Sequence, residues 1–338
     1  MGSTNTAVPI EVPPTLFLTD DDVAQLTDWK AAFDALRTAY SSAIATAMVP
    51  PRSMARGEGV WLRGLTAVSP SGRHMGCKLI GANTKVRRAS YLISLWDQQT
   101  MGLSALIDGN RITGIRTAAT AVVAVDAVAP DKPLRVAVIG SGFEAQGLLA
   151  ALAAVRRIAD VRVFSPTPGS REKFAGICRA QHGLRAQAIT TAPEAVRGAD
   201  VVLCAARSRD ESPVLRGDWL EPGMTVVSIG STLPEQREVD EDVIARADLI
   251  VADMPEEVAH DTGDMQAAQR AGVSFAGKLF PLSSLVGGQV IRQAEDIVVY
   301  KSVGSALQDV ITAEMLLGRA RTTGRGVALV HSIVPVAK

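Results

Sequence analysis

Three cationic side chains occupy sequence surroundings that do not suit a charge: Arg52 in MVPPRSM, Lys78 in GCKLIGA and Arg116 in GIRTAAT. Strand and helix interiors seldom hold an ion without a partner, and burying one uncompensated costs several kcal/mol. Each therefore calls for an anion. Three such groups converging on a cleft would hold the carboxylate of a substrate. On pattern alone, pairing with structural Asp or Glu residues, or reaching out to water, stands as the alternative.

The second chemical signal is VAVIGSGFEAQGLLAAL, in which Gly140, Gly142 and Ala145 fill the G-x-G-x-x-G/A positions between a strand and a helix. Gly140 permits the tight turn, Gly142 lets the backbone approach a pyrophosphate, and Ala145 keeps the helix close to the sheet. The free N–H groups at the helix start attract the anion. Phe143 and Glu144 complete this cofactor loop, although an acid there suits a pyrophosphate only if it points away. NAD enzymes place an Asp or Glu at the end of the second strand, on the ribose hydroxyls. Here that stretch reads VRVFSPTPGSR: Asp160 precedes the strand, and the strand end carries Ser165 and Thr167, followed by Ser170 and Arg171. Hydroxyls and a guanidinium suit a phosphate monoester, so NADP(H) is favoured and NAD(H) is the alternative cofactor. GVSFAGKL imitates a Walker A loop through Gly277 and Lys278, but Leu279 offers no hydroxyl to magnesium. The pairs His74 with Cys77 and Cys178 with His182 lack further ligands, so no metal is expected.

These residues need two kinds of scaffold. From Phe17 to Thr46 the sequence reads as two helices, with Thr19 able to cap the first and Asp20, Asp21 and Asp22 in its opening turn. Four short runs between Gly59 and Asp108 read as antiparallel sheet with hairpin turns, and the small-residue stretch from Ile112 to Ala129 as a buried helix. After Pro130 and Pro133 the rhythm changes. LRVAVIG, VRVFSP, ADVVLCAA, MTVVSIG and ADLIVAD are apolar runs of parallel-strand type, each followed by a connection. The expected fold is therefore α/β: a Rossmann-type doubly wound parallel sheet inserted into an α+β substrate-binding and dimerisation domain with a mainly antiparallel sheet. The boundaries implied are 1–129 for the first part of the substrate domain, 130–304 for the nucleotide domain, and 305–338 for a long amphipathic C-terminal helix that returns to the first.

Composition narrows the function classes. With 338 residues there is room for about two domains. Thirty-five Lys plus Arg balance 35 Asp plus Glu, which leaves no field to attract nucleic acid or an acidic membrane surface. No run reaches the roughly 18 apolar residues of a bilayer span. Three scattered cysteines and an opening without a secretion signature point to a reducing cytoplasm. Met1-Gly2 with Thr6 fits the short myristoylation pattern, which arises often by chance, and is read as part of a tail.

Several segments together resemble the ornithine cyclodeaminase and mu-crystallin family. They are VPPR at Val49 to Arg52, GCKLI around Lys78, ALIDGNRITGIRTAAT from Ala105 to Thr120, the glycine loop, ADVVLCA, PVLRGDWLEPGMTVVSIGS, REVD at Arg237 to Asp240, and YKSVGSALQDVITA. The resemblance runs from about residue 15 to 325. It implies a homodimer, a nicotinamide cofactor, and a small α-imino or α-amino acid as substrate. By the family pattern Arg52 and Arg116 bind the substrate carboxylate, and Lys78 reaches it or assists proton transfer to the imine nitrogen. Thr117 contacts the cofactor phosphates, Ser302, Val303 and Gly304 lie near the nicotinamide, and Asp309 is either a helix contact or an orienting group. Cyclodeaminases of the family carry an Asp in the loop after the fifth strand. This chain reads IGSTLPEQREVD, which puts Thr232 on the substrate side at that position, and threonine is no carboxylate base near neutral pH. The expected activity is therefore NAD(P)H-dependent reduction of a ketimine to an amino acid. The alternatives are ornithine cyclisation, an alanine-type dehydrogenase, and a ligand-binding protein without catalysis.

Overall fold

The computed structural model describes residues 13–336, and the N-terminal myristoylation pattern lies outside them. The chain packs as two compact units. The first comprises residues 13–27, 45–112 and 309–336; the second comprises 28–44 and 113–308, so the second interrupts the first in sequence.

In the first unit, β1 (Leu16–Leu18) leads into α1 (Asp20–Leu26). The Thr19 side chain accepts from the Asp22 amide while the Asp22 carboxylate takes the Thr19 N–H, a reciprocal cap that fixes the helix start. The sheet continues with β2 (Ser53–Gly57), β3 (Val60–Val68), β4 (His74–Asn83), β5 (Arg88–Asp97) and β6 (Leu103–Asp108). These run antiparallel to their neighbours; only β1 against β6 is parallel, and β15 (Val327–Ala328) closes the far edge. Three strands of this sheet escape the sequence reading: β1, three residues long, β2, an edge strand whose SMARG text lacks alternation, and β15, two residues long. Register sets the faces, because opposed residues share a side. Lys78 sits across from Leu65 and Ile93 on the buried face, whereas Leu79, across from Leu92, points to the exposed face with Leu62.

The second unit begins with α2 (Trp29–Tyr40). α3 (Asn110–Val128) carries the chain into it, and small residues on every side let most of that helix be buried. The parallel sheet orders as β13-β12-β14-β11-β10-β7-β8-β9. Its strands are β7 (Leu134–Ile139), β8 (Ile158–Phe164), β9 (Ala186–Ala188), β10 (Val201–Cys204), β11 (Thr225–Ser228), β12 (Leu249–Ala252), β13 (Leu279–Pro281) and β14 (Val298–Lys301). β10, β11 and β14 are buried along their whole length, as both-face coverage demands. The connecting helices are α4 (Phe143–Val155), α5 (Pro168–His182), α6 (Ala192–Val196), α7 (Glu241–Arg246), α8 (Pro255–Asp261), α9 (Gly263–Arg270) and α10 (Leu282–Val286). The fold class is the expected one, a Rossmann-type parallel sheet joined to a mainly antiparallel one.

α11 (Ala306–Thr323) returns the chain to the first unit from Asp309 onward. The expectation of an amphipathic helix needs correcting over its first half. From Ala306 to Glu314 every residue is buried, and polar positions such as Gln308, Asp309 and Thr312 are enclosed along with the apolar ones. A helix buried all round shows no apolar stripe.

Candidate active site

Within the first unit, Lys78 and Asp309 form a buried ion pair. β4 aims the lysine into the buried face, and its Nζ donates to Asp309 Oδ1 at 2.9 Å, with both side chains 2% exposed. The Tyr91 ring lies 5.6 Å from the ammonium, within cation–π range. α11 comes this close because Gly76 leaves room: a Cβ there would stand 3.2 Å from Val310 and strike the Ser94 carbonyl. Asp309 is thus the counter-ion of Lys78 rather than a helix contact alone. Arg52, the other cation expected at the site from this unit, is half-buried just before β2.

In the second unit the functional features gather where the parallel strands end, the place an open α/β sheet offers a ligand. Gly140 ends β7 at φ +118°, and a Cβ on it would stand 2.6 Å from the Ala205 carbonyl after β10, so no other residue fits. Gly142 is the N-cap of α4, and nothing lies within 4 Å of a Cβ built on it. Open space in front of a helix N-terminus fits a pyrophosphate. Ala145 is fully buried where the helix meets the sheet, Glu144 is half-buried in the first turn, and Phe143 is 63% exposed with its ring edge over Gly114 of α3. Thr117, one turn further along α3, is buried.

At the end of β8, Ser165 is buried and Thr167 stands at the N-cap position of α5. Arg171 reaches back so that Nη1 donates to the Ser165 carbonyl at 3.0 Å, which lays its guanidinium over this loop. Asp160 opposes Arg135 near the start of β8 and pairs with Arg162 at 3.5 Å, so it does not serve the strand's carboxyl end. Lys278, of the Walker-like run, donates to the carbonyls of Ala245 and Ala247, which leaves no phosphate cradle there.

Arg116 meets the Ser302–Gly304 segment directly. Gly304 has φ +82°, and a Cβ on it would lie 2.5 Å from Arg116 Nη1 and 2.6 Å from Nη2. Only glycine lets that guanidinium pass. Two carboxylates that the sequence reading did not single out shape these loops. Asp253, just past β12, accepts from the Ser302 hydroxyl at 2.6 Å and from the amides of Val303 and Gly304 at 3.1 and 2.8 Å. Glu238 accepts from the Ala206 and Gly230 amides and from the Ser228 hydroxyl, tying the loops after β10 and β11 together. Burial pushes Glu238 up to about 6, against the pull of Lys301 and these hydrogen bonds. The signal for Asp253 was present: an acid closing the apolar run ADLIVAD, at a strand's carboxyl end. Thr232 lies in the loop after β11, where both its amide and its hydroxyl donate to Gln236 Oε1, at 2.9 and 3.0 Å.

A groove of about 610 Å³ lies elsewhere, at the opposite ends of β7 and β10. Its cations are already engaged: Lys132 and Arg135 on Asp200, and Arg292 on the carbonyls of Val128 and Gly223. It is remote from the glycine loop.

A parallel doubly wound sheet with a glycine loop at the reversal of strand order defines a dinucleotide-binding protein of the Rossmann class. The chain belongs to the ornithine cyclodeaminase/mu-crystallin family, whose description it matches over residues 14–324. It is 30% identical over 285 residues to a Delta(1)-pyrroline-2-carboxylate reductase of Bacillus cereus, covering 83% of each chain. With the ketimine reductase mu-crystallin of Mus musculus it shares 28% identity over 235 residues, 70% of this chain and 71% of that one. Among solved structures, the Thermococcus litoralis Delta(1)-pyrroline-2-carboxylate reductase in complex with NADH and L-proline is similar at a TM-score of 0.84 and 25% identity. That match covers 93% of this chain and 100% of that one.

Proposed function

We propose that the protein is an NAD(P)H-dependent reductase that converts a cyclic α-imino acid, a ketimine, into the corresponding amino acid. Bound NAD(P)H supplies the hydride that the imine carbon takes up. The chain's own residues bind and orient the substrate. By the family resemblance Arg116 of the second unit is assigned to the substrate carboxylate, bidentately; in the first unit Arg52 is assigned to the same group, and Lys78 with Asp309 behind it to the proton on the imine nitrogen. A protonated C=N is the better hydride acceptor, so holding that proton lowers the barrier. Fixed cations at the carboxylate position the carbon for attack. Thr117 and the loop Gly140 to Ala145 hold the pyrophosphate, and Ser302 to Gly304 line the nicotinamide. NADP(H) is the preferred cofactor, since Ser165, Thr167 and Arg171 offer donors at the end of β8 and no carboxylate repels a phosphate there.

One observation favours the reductase over the cyclodeaminase: Thr232, at the lyase acid's position in the resemblance, has its hydroxyl bonded within its own loop. The test follows nicotinamide absorbance with Delta(1)-pyrroline-2-carboxylate and its six-membered homologue, with ammonia release from ornithine measured in parallel. The expected result is one NADPH consumed per proline or pipecolate formed and no ammonia. Ammonia and proline from ornithine without net consumption would replace this reading with the lyase.

The working unit is a homodimer paired through the outer face of the antiparallel sheet. Val60, Leu62, Leu79 and Leu92 share that face and are 36–50% exposed, an apolar patch that calls for a partner surface. Light scattering should give twice the chain mass, and Leu62→Glu combined with Leu79→Glu should halve it. A monomer in the unaltered protein would remove the assignment.

A further inference from the structure

Gln308 is buried with no exposed surface, and its amide makes three contacts. Nε2 donates to Asp253 Oδ2 at 2.9 Å and to the Tyr40 hydroxyl at 3.1 Å, while Oε1 accepts from Arg116 Nη1 at 2.8 Å. The orientation of that amide follows from elementary chemistry. An ionised carboxylate only accepts and a guanidinium only donates, so the NH₂ must face Asp253 and the oxygen must face Arg116. Asp253 Oδ2 is simultaneously the acceptor for the Ser302 hydroxyl and the Gly304 amide, and Oδ1 takes the Val303 and Met254 amides. One carboxylate therefore fixes a backbone segment and, through one amide, a guanidinium.

We infer that Asp253 and Gln308 are positioning residues that set the carboxylate-binding arginine, Arg116, in register with the Ser302–Gly304 segment. The inference rests on the assignment of Arg116 to the substrate carboxylate made above. Asp253 polarises the Gln308 amide and locks its direction; Gln308 presents an oxygen to Nη1 and thereby orients the remaining guanidinium N–H groups. Gly304, whose missing Cβ gives the guanidinium its space, is held by the same Asp253 oxygen. Substrate position and nicotinamide-loop position are thus coupled through a single acceptor.

The two residues differ in what they touch, and the test uses that difference. Gln308→Met keeps the volume and removes the whole amide, so the contacts to Arg116, Asp253 and Tyr40 go together. It should raise KM for Delta(1)-pyrroline-2-carboxylate roughly tenfold, the effect of losing the hydrogen bond that orients the Arg116 guanidinium, while NADPH affinity measured by fluorescence titration stays within about twofold, because Asp253 keeps its Ser302, Val303 and Gly304 contacts. Gln308→Asn, which keeps the amide but withdraws its oxygen by a methylene, should show the same split and serves if the Met variant does not fold. Asp253→Asn should raise both KM and the NADPH Kd, because it disturbs the Ser302–Gly304 amides as well. Equal changes in KM and NADPH affinity for both Gln308 variants, or no change in either, would overturn the positioning role. An unaltered protein that binds NADPH but turns over no imino acid would instead overturn the assignment on which it rests.

Discussion

Among the described residues each unit hides a lysine–aspartate pair, and the two pairs are built differently. Lys78 and Asp309 meet side chain to side chain across 231 residues of sequence, with an aromatic ring over the ammonium. Lys301 and Asp264, 2.6 Å apart and fully buried, belong to a mesh of main-chain groups. The other Asp264 oxygen accepts from the Glu238 and Val239 amides, and Lys301 also donates to Ser228, whose hydroxyl donates to Glu238. Burial of an ion pair therefore does not separate architecture from chemistry. The partners do: backbone N–H groups make the Lys301 pair a fastener for the loops after β10 and β11, whereas the Lys78 pair presents a proton on a side chain.

The contrast can be broken most forcefully at Lys78. Lys78→Met should lower turnover by about a thousandfold, the scale of a lost general acid, with NADPH binding unchanged in a fluorescence titration; equal activity would strip Lys78 of its chemical role. The substitution should also cost about 3–5 kcal/mol of stability by removing the ammonium from a buried carboxylate. Adding Asp309→Leu should recover part of that stability and none of the activity. Lys301→Met should destabilise by a similar 3–5 kcal/mol in denaturant unfolding, but there Asp264→Leu should deepen the loss, because the Glu238 and Val239 amides would lose their acceptor. Opposite responses to the second substitution are the sharpest form of the comparison.

Other loops of the second unit give smaller effects. Arg171→Ala should weaken NADPH about tenfold and spare NADH, on the scale of one charge-assisted hydrogen bond; an unchanged preference would return Arg171 to a loop brace on the Ser165 carbonyl. Glu238 supplies a pH signature. Its folded pKa of about 6 lies above its ordinary value, so the native state binds the extra proton and stability falls as pH rises from about 4.5 through 6. The thermal-stability advantage of the unaltered protein over Glu238→Gln should accordingly be about 1 kcal/mol greater at roughly pH 5 than at roughly pH 7. A constant difference would mean that Glu238 titrates normally.

What was legible in the sequence was local. The glycine loop, the helix cap at Thr19 and the apolar parallel strands are written within a few residues, and the structure reproduces them. Lys78 stood out because a charge among strand residues is costly, yet its partner did not: the resemblance gave Asp309 only as a helix contact or an orienting group, and the two meet across 231 residues of sequence. Asp253 and Gln308 were missed because their meaning lies in contacts 49 to 55 residues apart and, for Arg116, 192 residues away. The edge strand Ser53–Gly57 was missed because nothing alternates in it. The first half of α11 was misread because residues 306–314, enclosed on all sides, bury polar side chains against partners that composition does not reveal.

The most direct test of the central claim is isotopic. NADPH carrying deuterium at the transferable nicotinamide position, incubated with Delta(1)-pyrroline-2-carboxylate and the protein, should yield proline with a single deuterium on Cα and an equal amount of NADP⁺. Proline without the label, or no proline while ornithine is deaminated, would contradict hydride transfer to the imine carbon as the reaction of this chain.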